Sequence, residues 1–384
     1  MQNPLPTPSP EALDHSTRLT LAIQNDIAQH GGWISFARFM ELALYMPGLG
    51  YYTAGSHKLG EAGDFITAPE LSSLFGRTLA RQVQQVMANS APHILELGAG
   101  SGKLAVDMLA ELEHLGTLPD SYSILEVSAD LRQRQQALLQ QRLPHLVQRV
   151  VWLDALPESY SGAVVANEVL DALPVHLVHW NDSALKERGV VVQADGFAWA
   201  ERGIADAALL AAAQKIVVPD GYVSEICLAA SGLIQSLASR MQCGALLFID
   251  YGFGAREFYH PQRNKGTLMC HYRHHAHDDP FYLPGLQDIT AHVDFTAVAE
   301  AGIDAGLSLI GYTNQAFFLI NAGITDLLAQ VSPEDLKTYL PLSAQLQKLT
   351  SPAEMGDLFK VIAFAKGMDA SLSGFARGDL SRAL

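Results

Sequence analysis

The chain has 384 residues, of which 49% are hydrophobic and 17% charged, enough for a large core in one domain with additions or in two domains. The formal net charge is −15 and no lysine- and arginine-rich run is visible, which argues against nucleic acid as a partner. The three cysteines stand apart without a CxxC pair, so neither a disulfide framework nor a zinc ribbon is predicted.

The first 90 residues are predicted to be a helical extension with a lid. Residues 1–14 are typical of a loose tail, without a secretory apolar region or the arginines of a transit peptide. Because no apolar run is long enough to span a bilayer, we expect a cytoplasmic protein without membrane insertion. Apolar spacing predicts helices over Ser16–Gln29, Trp33–Met46 and Leu71–Asn89. Gly60–Glu70 is predicted to be either an exposed turn or a lid that closes over a ligand.

Residues 91–366 are predicted to form the core, because short apolar strands alternate with amphipathic helices. This alternation predicts an α/β fold with a doubly wound, mostly parallel sheet. Ser128 is predicted to cap the second helix of the core. The predicted strands are Ile94–Leu97, Tyr122–Val127, Val150–Leu153, Gly162–Ala166, Ala245–Ile249, Ser308–Thr313 and Phe359–Lys366.

Two insertions are predicted within this core. Residues 175–225 begin with short alternating strands and are predicted to be a β-rich insertion. Residues 255–290 are polar and are predicted to be a long functional loop. A single helix is predicted over 315–330, and residues 367–384 are predicted to be a loosely ordered C-terminal tail.

The stretch Ile94–Leu104 carries the clearest binding signal. An apolar strand runs into Gly98, Gly100 and Gly102, and a helix follows at once. Glycine permits positive φ angles and a close approach of ligand, while the helix start offers unpaired N–H groups. The pattern E-x-G-x-G-x-G, which begins at Glu96, differs from the dinucleotide pattern G-x-G-x-x-G. It suits an amino-acid moiety and a ribose better than a pyrophosphate.

Polar residues at the neighbouring strand ends support this interpretation. Glu126 closes the second strand, where a carboxylate can accept from both ribose hydroxyls. Asp154 is placed to accept from an adenine amino group, and Asn167 and Glu168 lie at the carboxyl edge of the sheet. We therefore predict S-adenosylmethionine (SAM) as the cofactor rather than NAD. Each polar residue has the alternative role of capping a neighbouring helix. The predicted SAM site further includes Glu96, Val127 and Ala155.

Six segments together resemble a known family: Phe39–Tyr52, Gly63–Glu70, Leu95–Gly102, Asn167–Val175, Ile249–Gly252 and Gln287–Phe295. They look like the MidA-like SAM-dependent methyltransferases, which include a mitochondrial complex I assembly factor that methylates a protein arginine. The resemblance spans about residues 15 to 365. It implies a class I methyltransferase fold and protein arginine as the substrate class. The lack of a transit peptide argues that this chain is not the mitochondrial protein itself.

The resemblance also favours the lid interpretation of Gly60–Glu70. In that case four lid residues contact the cofactor at its amino group or methionine end: Asp64, Thr67, Pro69 and Glu70.

Methyl transfer to arginine needs an aligned and polarised acceptor. A guanidinium is a poor nucleophile because its charge is delocalised, and paired carboxylates would hold it bidentately. Glu168 and Asp171 would share one side if the segment turned helically, so we predict that they orient the acceptor. Alternatively, one binds SAM and the other caps a helix. His292, with Asp288 and Asp294, is a second candidate group that contains a base, or else a packed loop histidine.

The remaining polar cluster is histidine-rich: His271, His274, His275 and His277 with Asp278 and Asp279. It lacks a helical i, i+4 ligand pair with an obvious catalytic glutamate, and the segment has the composition of a loop, so we predict a partner-facing loop and no metal site. The leading predicted function is a protein arginine methyltransferase, with a protein substrate, that acts in the assembly of a respiratory or other complex. The alternatives are methylation of a small molecule or another side chain, a SAM-binding assembly factor with little turnover, and an NAD enzyme. Self-association into a homodimer is also considered.

Overall fold

The computed structural model describes residues 5–54, 67–181, 184–194, 196–369 and 371–384. Its helices are α1 Pro10–Gln29, α2 Phe36–Tyr45, α3 Ala68–Leu71, α4 Ser73–Ala88, α5 Lys103–His114, α6 Ala129–Arg142, α7 Ala207–Lys215, α8 Leu228–Arg240, α9 Ala255–Phe258, α10 Phe295–Asp304, α11 Gln315–Asn321, α12 Ile324–Ala329, α13 Leu336–Thr350 and α14 Met355–Leu358. Its strands are β1 Ile34–Ser35, β2 His93–Leu97, β3 Ser121–Leu125, β4 Val150–Leu153, β5 Tyr160–Asn167, β6 His176–Asn181, β7 Ala184–Gln193, β8 Gly196–Gly203, β9 Tyr222–Ile226, β10 Met241–Phe253, β11 Met269–Tyr272, β12 His275–His277, β13 Asp288–Thr290, β14 Val293–Asp294, β15 Ser308–Asn314 and β16 Phe359–Lys366.

The chain divides into two compact units. Unit 1 takes the described residues of Met1–Phe65, Asp171–Gly232 and Arg256–His292. Unit 2 takes those of Ile66–Leu170, Leu233–Ala255 and Val293–Leu384. Unit 1 therefore collects the N-terminal helices and most of both predicted insertions. Unit 2 also holds α3 and α4, whereas we predicted that the extension runs to residue 90.

Unit 2 is built on a sheet with the strand order β4-β3-β2-β5-β10-β16-β15, and β14 pairs with the end of β10. Strands β4, β3, β2, β5 and β10 are parallel, and β16 runs antiparallel between β10 and β15. The prediction of a doubly wound, mostly parallel sheet is confirmed. The chain winds outward from β2 to β4 and then returns to β5 on the other side of β2. The switch point therefore lies at the carboxyl ends of β2 and β5, where such sheets bind ligands.

The core of unit 2 explains why its helices form where they do. Helix α5 buries one apolar face, which includes Leu104, Met108 and Leu112. Helix α4 buries Leu79, Val83 and Val86 completely, so it belongs to this core. Burial of side chains of this size stabilises by about 1.5–3 kcal/mol each.

Several predicted helices are shorter than expected, and each has a local cause. The helix predicted from Trp33 begins only at Phe36, because Ser35 caps it and β1 pairs with β7. The long helix predicted from Leu71 is interrupted at Ser72, whose extended backbone and side chain cap α4. The helix predicted over 315–330 breaks at Gly323, which has a φ of 92°.

We predicted that the C-terminal residues form a loosely ordered tail. Instead, the described residues of this segment pack within unit 2. The backbone N–H of Gly374 donates to Gln82 Oε1 at 2.7 Å, and Asn321 Nδ2 donates to the carbonyl of Arg377 at 2.8 Å. Of residues 1–14, predicted as a tail, Pro10 begins α1 and Ser9 caps it.

Unit 1 combines α1 and α2 with two antiparallel sheets. The larger sheet has the order β1-β7-β6-β9, with β8 on β7, which confirms the predicted β-rich insertion. The smaller sheet has the order β12-β11-β13 and lies inside the segment predicted as a long loop. That prediction is wrong, because strands of three or four residues are too short to show an alternating pattern. Across the described ranges, no helix is both long and apolar enough to cross a membrane.

Candidate functional site

The glycine turn after β2 has the geometry that the sequence predicts. Gly98, Gly100 and Gly102 have φ angles of 61°, 54° and 86°, and Gly102 caps α5. A Cβ at Gly98 would lie 3.2 Å from Val169 Cγ2, and one at Gly102 would lie 3.1 Å from Gln135 Cγ. Glycine is therefore required for both the backbone conformation and the tight packing. The turn presents the N-terminal amides of α5, which suit polar or anionic groups of a ligand.

Glu126 ends the neighbouring strand as a buried, anchored carboxylate. Its Oε1 accepts from the N–H of Ser128 at 3.0 Å, and its Oε2 accepts from Gln135 Nε2 at 3.1 Å. Burial raises the pKa of Glu126, and these hydrogen bonds oppose that shift. The adjacent Val127 is 68% exposed, which leaves an apolar surface beside the carboxylate. This pairing fits a ribose hydroxyl pair and an adenine face.

Gln135 lies within the candidate site, although the sequence did not single it out. It is fully buried on α6 and donates to Glu126 and to the carbonyl of Gly100, at 2.9 Å. Its Oε1 accepts from Trp152 Nε1 at 2.8 Å. One side chain thus fixes the glycine turn relative to the predicted ribose-binding carboxylate. On a helix with many polar residues, nothing in the spacing distinguishes it.

Asp154 and Ala155 follow β4 and are exposed. Arg132 Nη1 donates to Asp154 Oδ1 at 2.7 Å, but the Asp154 side chain is 92% exposed, so the pair contributes little stability. Arg132 also donates to the carbonyls of Glu126 and Leu153, at 2.6 and 2.5 Å. It therefore ties together the ends of β3 and β4, a role that sequence reasoning missed.

Glu96, at the start of the glycine motif, is buried. Tyr122 Oη donates to its Oε2 at 2.7 Å. Burial raises the pKa of Glu96 to about 7, the charge of Glu126 adds to the shift, and the Tyr122 hydrogen bond opposes it. Glu96 is thus an acid that titrates near neutral pH at the strand end that carries the turn.

The segment before α4 reaches the glycine turn through Glu70. Ser101 Oγ, within the turn, donates to the Glu70 carboxylate. Thr67 is the N-cap residue of α3, and Pro69 is buried in its first turn. Residues 60–66 of the predicted lid, which include Asp64, lie outside the described residues.

The turn after β5 is anchored and strained. Glu168 has a φ of 52°, uncommon for a residue other than glycine, at a cost of about 1–3 kcal/mol. Its N–H donates to the carbonyl of Ile249 at 2.9 Å, and the N–H of Leu170 donates to Asp250 Oδ2 at 2.9 Å. Asn167 Nδ2 donates to Glu168 Oε1 at 3.1 Å.

The helical turn that would place Glu168 and Asp171 on one side does not form, because the amides of Glu168 and Leu170 are bound by β10 instead. Asp250 is fully buried, and its Oδ1 also accepts from the N–H of Tyr251 at 2.9 Å. Asp250 thus holds the turn in place, although we did not predict it as a site residue. Glu168 belongs to unit 2 and Asp171 to unit 1.

The second predicted acceptor group is also divided between the units. His292 is half-buried in unit 1, and its N–H donates to Thr267 Oγ1 at 3.0 Å. Asp294 belongs to unit 2, where its Oδ1 caps α10 by accepting from Thr296 and Ala297 at 3.0 and 3.3 Å. Asp294 is therefore a helix-capping residue.

The histidine-rich segment forms the hairpin β11–β12. Arg273 and His274 both have positive φ angles, 48° and 63°, as a two-residue type I′ turn requires. His275 Nδ1 lies 2.7 Å from the carbonyl of Arg273. Within the described ranges, no group of three or more His, Cys, Asp or Glu residues is arranged to hold a metal ion.

The residues around the glycine turn of unit 2 form a candidate donor site, called the donor site below, and this site fits SAM. The glycine turn leaves room where a Cβ would intrude, Glu126 offers an anchored carboxylate, and Val127 offers an exposed apolar surface. When bound, SAM supplies an electrophilic methyl group on a sulfonium. The fold and this site define a SAM-dependent methyltransferase.

Comparison with known sequences places the chain in a family. The profile of a family of S-adenosyl-L-methionine-dependent methyltransferases matches residues 74–313. The chain belongs to this family and is a methyltransferase that uses SAM.

Individual relatives are similar along most of their length. The chain is 31% identical to "Protein arginine methyltransferase NDUFAF7, mitochondrial" of Danio rerio, over 86% of this chain and 82% of the relative. The Mus musculus protein of the same name is 30% identical over 86% and 81%. A Burkholderia thailandensis crystal structure bound to S-adenosyl-homocysteine is 51% identical, covers 99% of this chain and 100% of its own, and has a TM-score of 0.96.

The comparisons contradict the cytoplasmic prediction. The curated relatives from Danio rerio, Mus musculus and Drosophila melanogaster are all named as mitochondrial proteins. Our prediction relied on the composition of the first residues and on the lack of a membrane-spanning apolar run, and neither establishes a compartment.

Proposed function

We propose that this methyltransferase transfers the methyl group of SAM to the guanidinium of an arginine in a protein. Relatives about 30% identical over most of the chain are named protein arginine methyltransferases, which supports the substrate class. The observation that carries the proposal is the position of Glu168. Glu168 lies on the turn after β5, and Cγ2 of the next residue, Val169, would lie 3.2 Å from a Cβ added at Gly98 of the donor site.

A carboxylate beside the donor site meets the chemical demand of this acceptor. Arginine stays protonated at physiological pH, and its lone pairs are delocalised over three nitrogens. A charge-assisted hydrogen bond from the guanidinium to Glu168 would orient one nitrogen and concentrate electron density on it. The strained φ of Glu168 and the anchoring by Asp250 indicate that the direction of this side chain matters.

Two further predictions from the sequence accompany this proposal. A role in the assembly of a larger complex is implied only by the family resemblance, and self-association into a homodimer stays a separate prediction. Methylation of a small molecule, and SAM binding with little turnover, are the alternatives that the test below separates.

The test is transfer of labelled methyl groups to proteins. Purified protein is incubated with methyl-labelled SAM and an extract from a strain that lacks the protein, and labelled proteins are hydrolysed for amino-acid analysis. We expect the label in methylarginine. The matched variants are Glu168→Gln, which should lose transfer, and Glu158→Gln, an exposed position that should keep it.

Three results would contradict the proposal. Label in another amino acid, or only in small molecules, would refute arginine as the acceptor. SAM binding by calorimetry without any transfer would favour the binding-factor alternative.

A further inference from the structure

Unit 1 contains a group that we name the tyrosine–carboxylate cluster. Its members come from the end of α2 and the following loop, from the segment between β5 and β6, and from β13: Tyr45, Tyr52, Asp171, Asp288 and Thr290. All five belong to the same compact unit. The cluster includes one residue from each of the two acceptor groups that the sequence left as alternatives.

The two tyrosines form one wall of the cluster. Their rings stack with centroids 5.5 Å apart and an angle of 24° between the planes. Tyr52 Oη donates to Asp288 Oδ1 at 2.9 Å, and Tyr45 Oη donates to the carbonyl of Ala172 at 2.9 Å. Both residues are half-buried.

The carboxylates lie deeper than the tyrosines. Asp288 is 1% exposed and Asp171 is 6% exposed. The Asp171 carbonyl accepts from the N–H of Ala291 at 3.0 Å, which ties the segment between β5 and β6 to the end of β13. Burial raises the pKa of Tyr52, and the charges of Asp288 and Asp171 raise it further, so both carboxylates act on this ring.

Thr290 gives an independent indication of a ligand. Side chains alternate along a strand, and Ile289 packs with Cys270 in the core of unit 1, so Asp288 and Thr290 share the opposite face. Thr290 is 3% exposed, and among the described residues its Oγ1 has no hydrogen-bond partner. Burying a hydroxyl without a hydrogen-bond partner lowers stability by about 1–3 kcal/mol, and a hydrogen bond donated by a ligand would offset this cost.

We propose that the tyrosine–carboxylate cluster binds the guanidinium of an arginine side chain of the protein substrate. This inference rests on the proposed function and assigns that function a recognition site in unit 1. A guanidinium carries five N–H donors and no acceptor, so carboxylates and a threonine oxygen are complementary to it. Aromatic faces attract the same cation. Because the carboxylates are buried, water competes weakly for them, and the site favours a charged group over a neutral one of equal shape.

The test compares two small probes that differ in charge. N-acetyl-arginine amide and N-acetyl-citrulline amide have nearly the same shape, but only the first is a cation. Their binding to the protein loaded with S-adenosyl-homocysteine is measured by ligand-observed NMR titration. We expect the arginine probe to bind at least about tenfold more tightly than the citrulline probe. Equal affinities would overturn the proposal.

Three variants locate the site. Asp288→Asn should weaken the arginine probe about tenfold and leave the citrulline probe unchanged, which also shows that the variant is folded. Thr290→Val should weaken the arginine probe about threefold, and Thr290→Ser should restore it. Asp278→Asn is the control, because it removes the same charge as Asp288→Asn but at an exposed position of the same unit. It should bind the arginine probe like the wild type.

Unchanged arginine binding in both Asp288→Asn and Thr290→Val would overturn the assignment. The labelling experiment described under the proposed function distinguishes failure of this site assignment from failure of the proposed function itself. If arginine in extract proteins is labelled but these variants bind normally, the site is wrong and the function stands. If no arginine is labelled, the function fails and this site fails with it.

Discussion

The donor site of unit 2 and the tyrosine–carboxylate cluster of unit 1 are assembled in different ways. Most of the donor site comes from one continuous part of the chain, from Glu96 to Gln135, where glycine φ angles and strand ends set the geometry. The cluster joins three segments that are far apart in sequence, around residues 45–52, 171–172 and 288–291. The geometry of the first site is therefore set mainly within one stretch of chain, and that of the second by contacts between distant segments.

This difference predicts that substitutions separate cofactor binding from methyl transfer. The largest expected effect is at Glu168, which stands beside the donor site but is assigned to the acceptor. Glu168→Gln should lower the rate of labelled methyl transfer by about 1000-fold, because the orienting charge is lost. Calorimetry with S-adenosyl-homocysteine should give an affinity within about twofold of the wild type. If Glu168→Gln loses binding of S-adenosyl-homocysteine together with methyl transfer, Glu168 belongs to the donor site instead.

A second prediction concerns pH and the buried acid of the donor site. The pKa of Glu96 is raised from 4.5 to about 7 in the folded chain. Above pH 4.5, Glu96 ionises in the unfolded chain but stays protonated in the folded chain, so rising pH lowers the free energy of unfolding. The decrease is complete above pH 7, where Glu96 is ionised in both states. Between pH 5 and 8 the free energy of unfolding should therefore fall by about 2.5 kcal/mol more in the wild type than in Glu96→Gln. The measurement is urea unfolding at both pH values, and parallel pH dependence in the two proteins would contradict it.

A third prediction tests the glycine geometry. Gly102→Ala should weaken SAM binding by about 30-fold, because a Cβ there strains the φ of 86° and meets Gln135. Gly116→Ala is the control, since it has a φ of 68° but no atom within 4 Å of its added Cβ. Calorimetry should show normal SAM binding in the control. Similar losses in both variants would mean that backbone strain alone explains the effect.

The smaller of the two predicted losses of SAM affinity is at Gln135, which the sequence did not single out. Gln135→Leu removes three hydrogen bonds that join Gly100, Glu126 and Trp152, so SAM affinity should fall about tenfold. Its exposed neighbour provides the control, Gln136→Leu, which should bind SAM normally. An unchanged dissociation constant in Gln135→Leu would show that these bonds do not position the donor site.

The parts of the molecule that the sequence predicted well are those governed by local rules. Strands Val150–Leu153 and Phe359–Lys366 have the predicted bounds, because both are short apolar runs. Ser128 caps α6 as predicted, since capping depends on neighbours in sequence. The glycine turn also has the predicted geometry, because it too depends on neighbours in sequence.

The parts that escaped prediction depend on partners far along the chain. The Glu168 turn is not helical because Asp250, eighty residues later, binds the N–H of Leu170. The sheet β12-β11-β13 is held by pairing that short strands do not signal. The bond between Tyr52 and Asp288 spans 236 positions, and no spacing rule connects two such residues.

The decisive measurement is the identity of the amino acid that receives the labelled methyl group, with wild type and Glu168→Gln compared at equal SAM occupancy. We expect labelled methylarginine with the wild type and almost none with Glu168→Gln. Label in any other acceptor, or equal methylarginine from both proteins, would contradict the assignment of Glu168 and the arginine chemistry built on it.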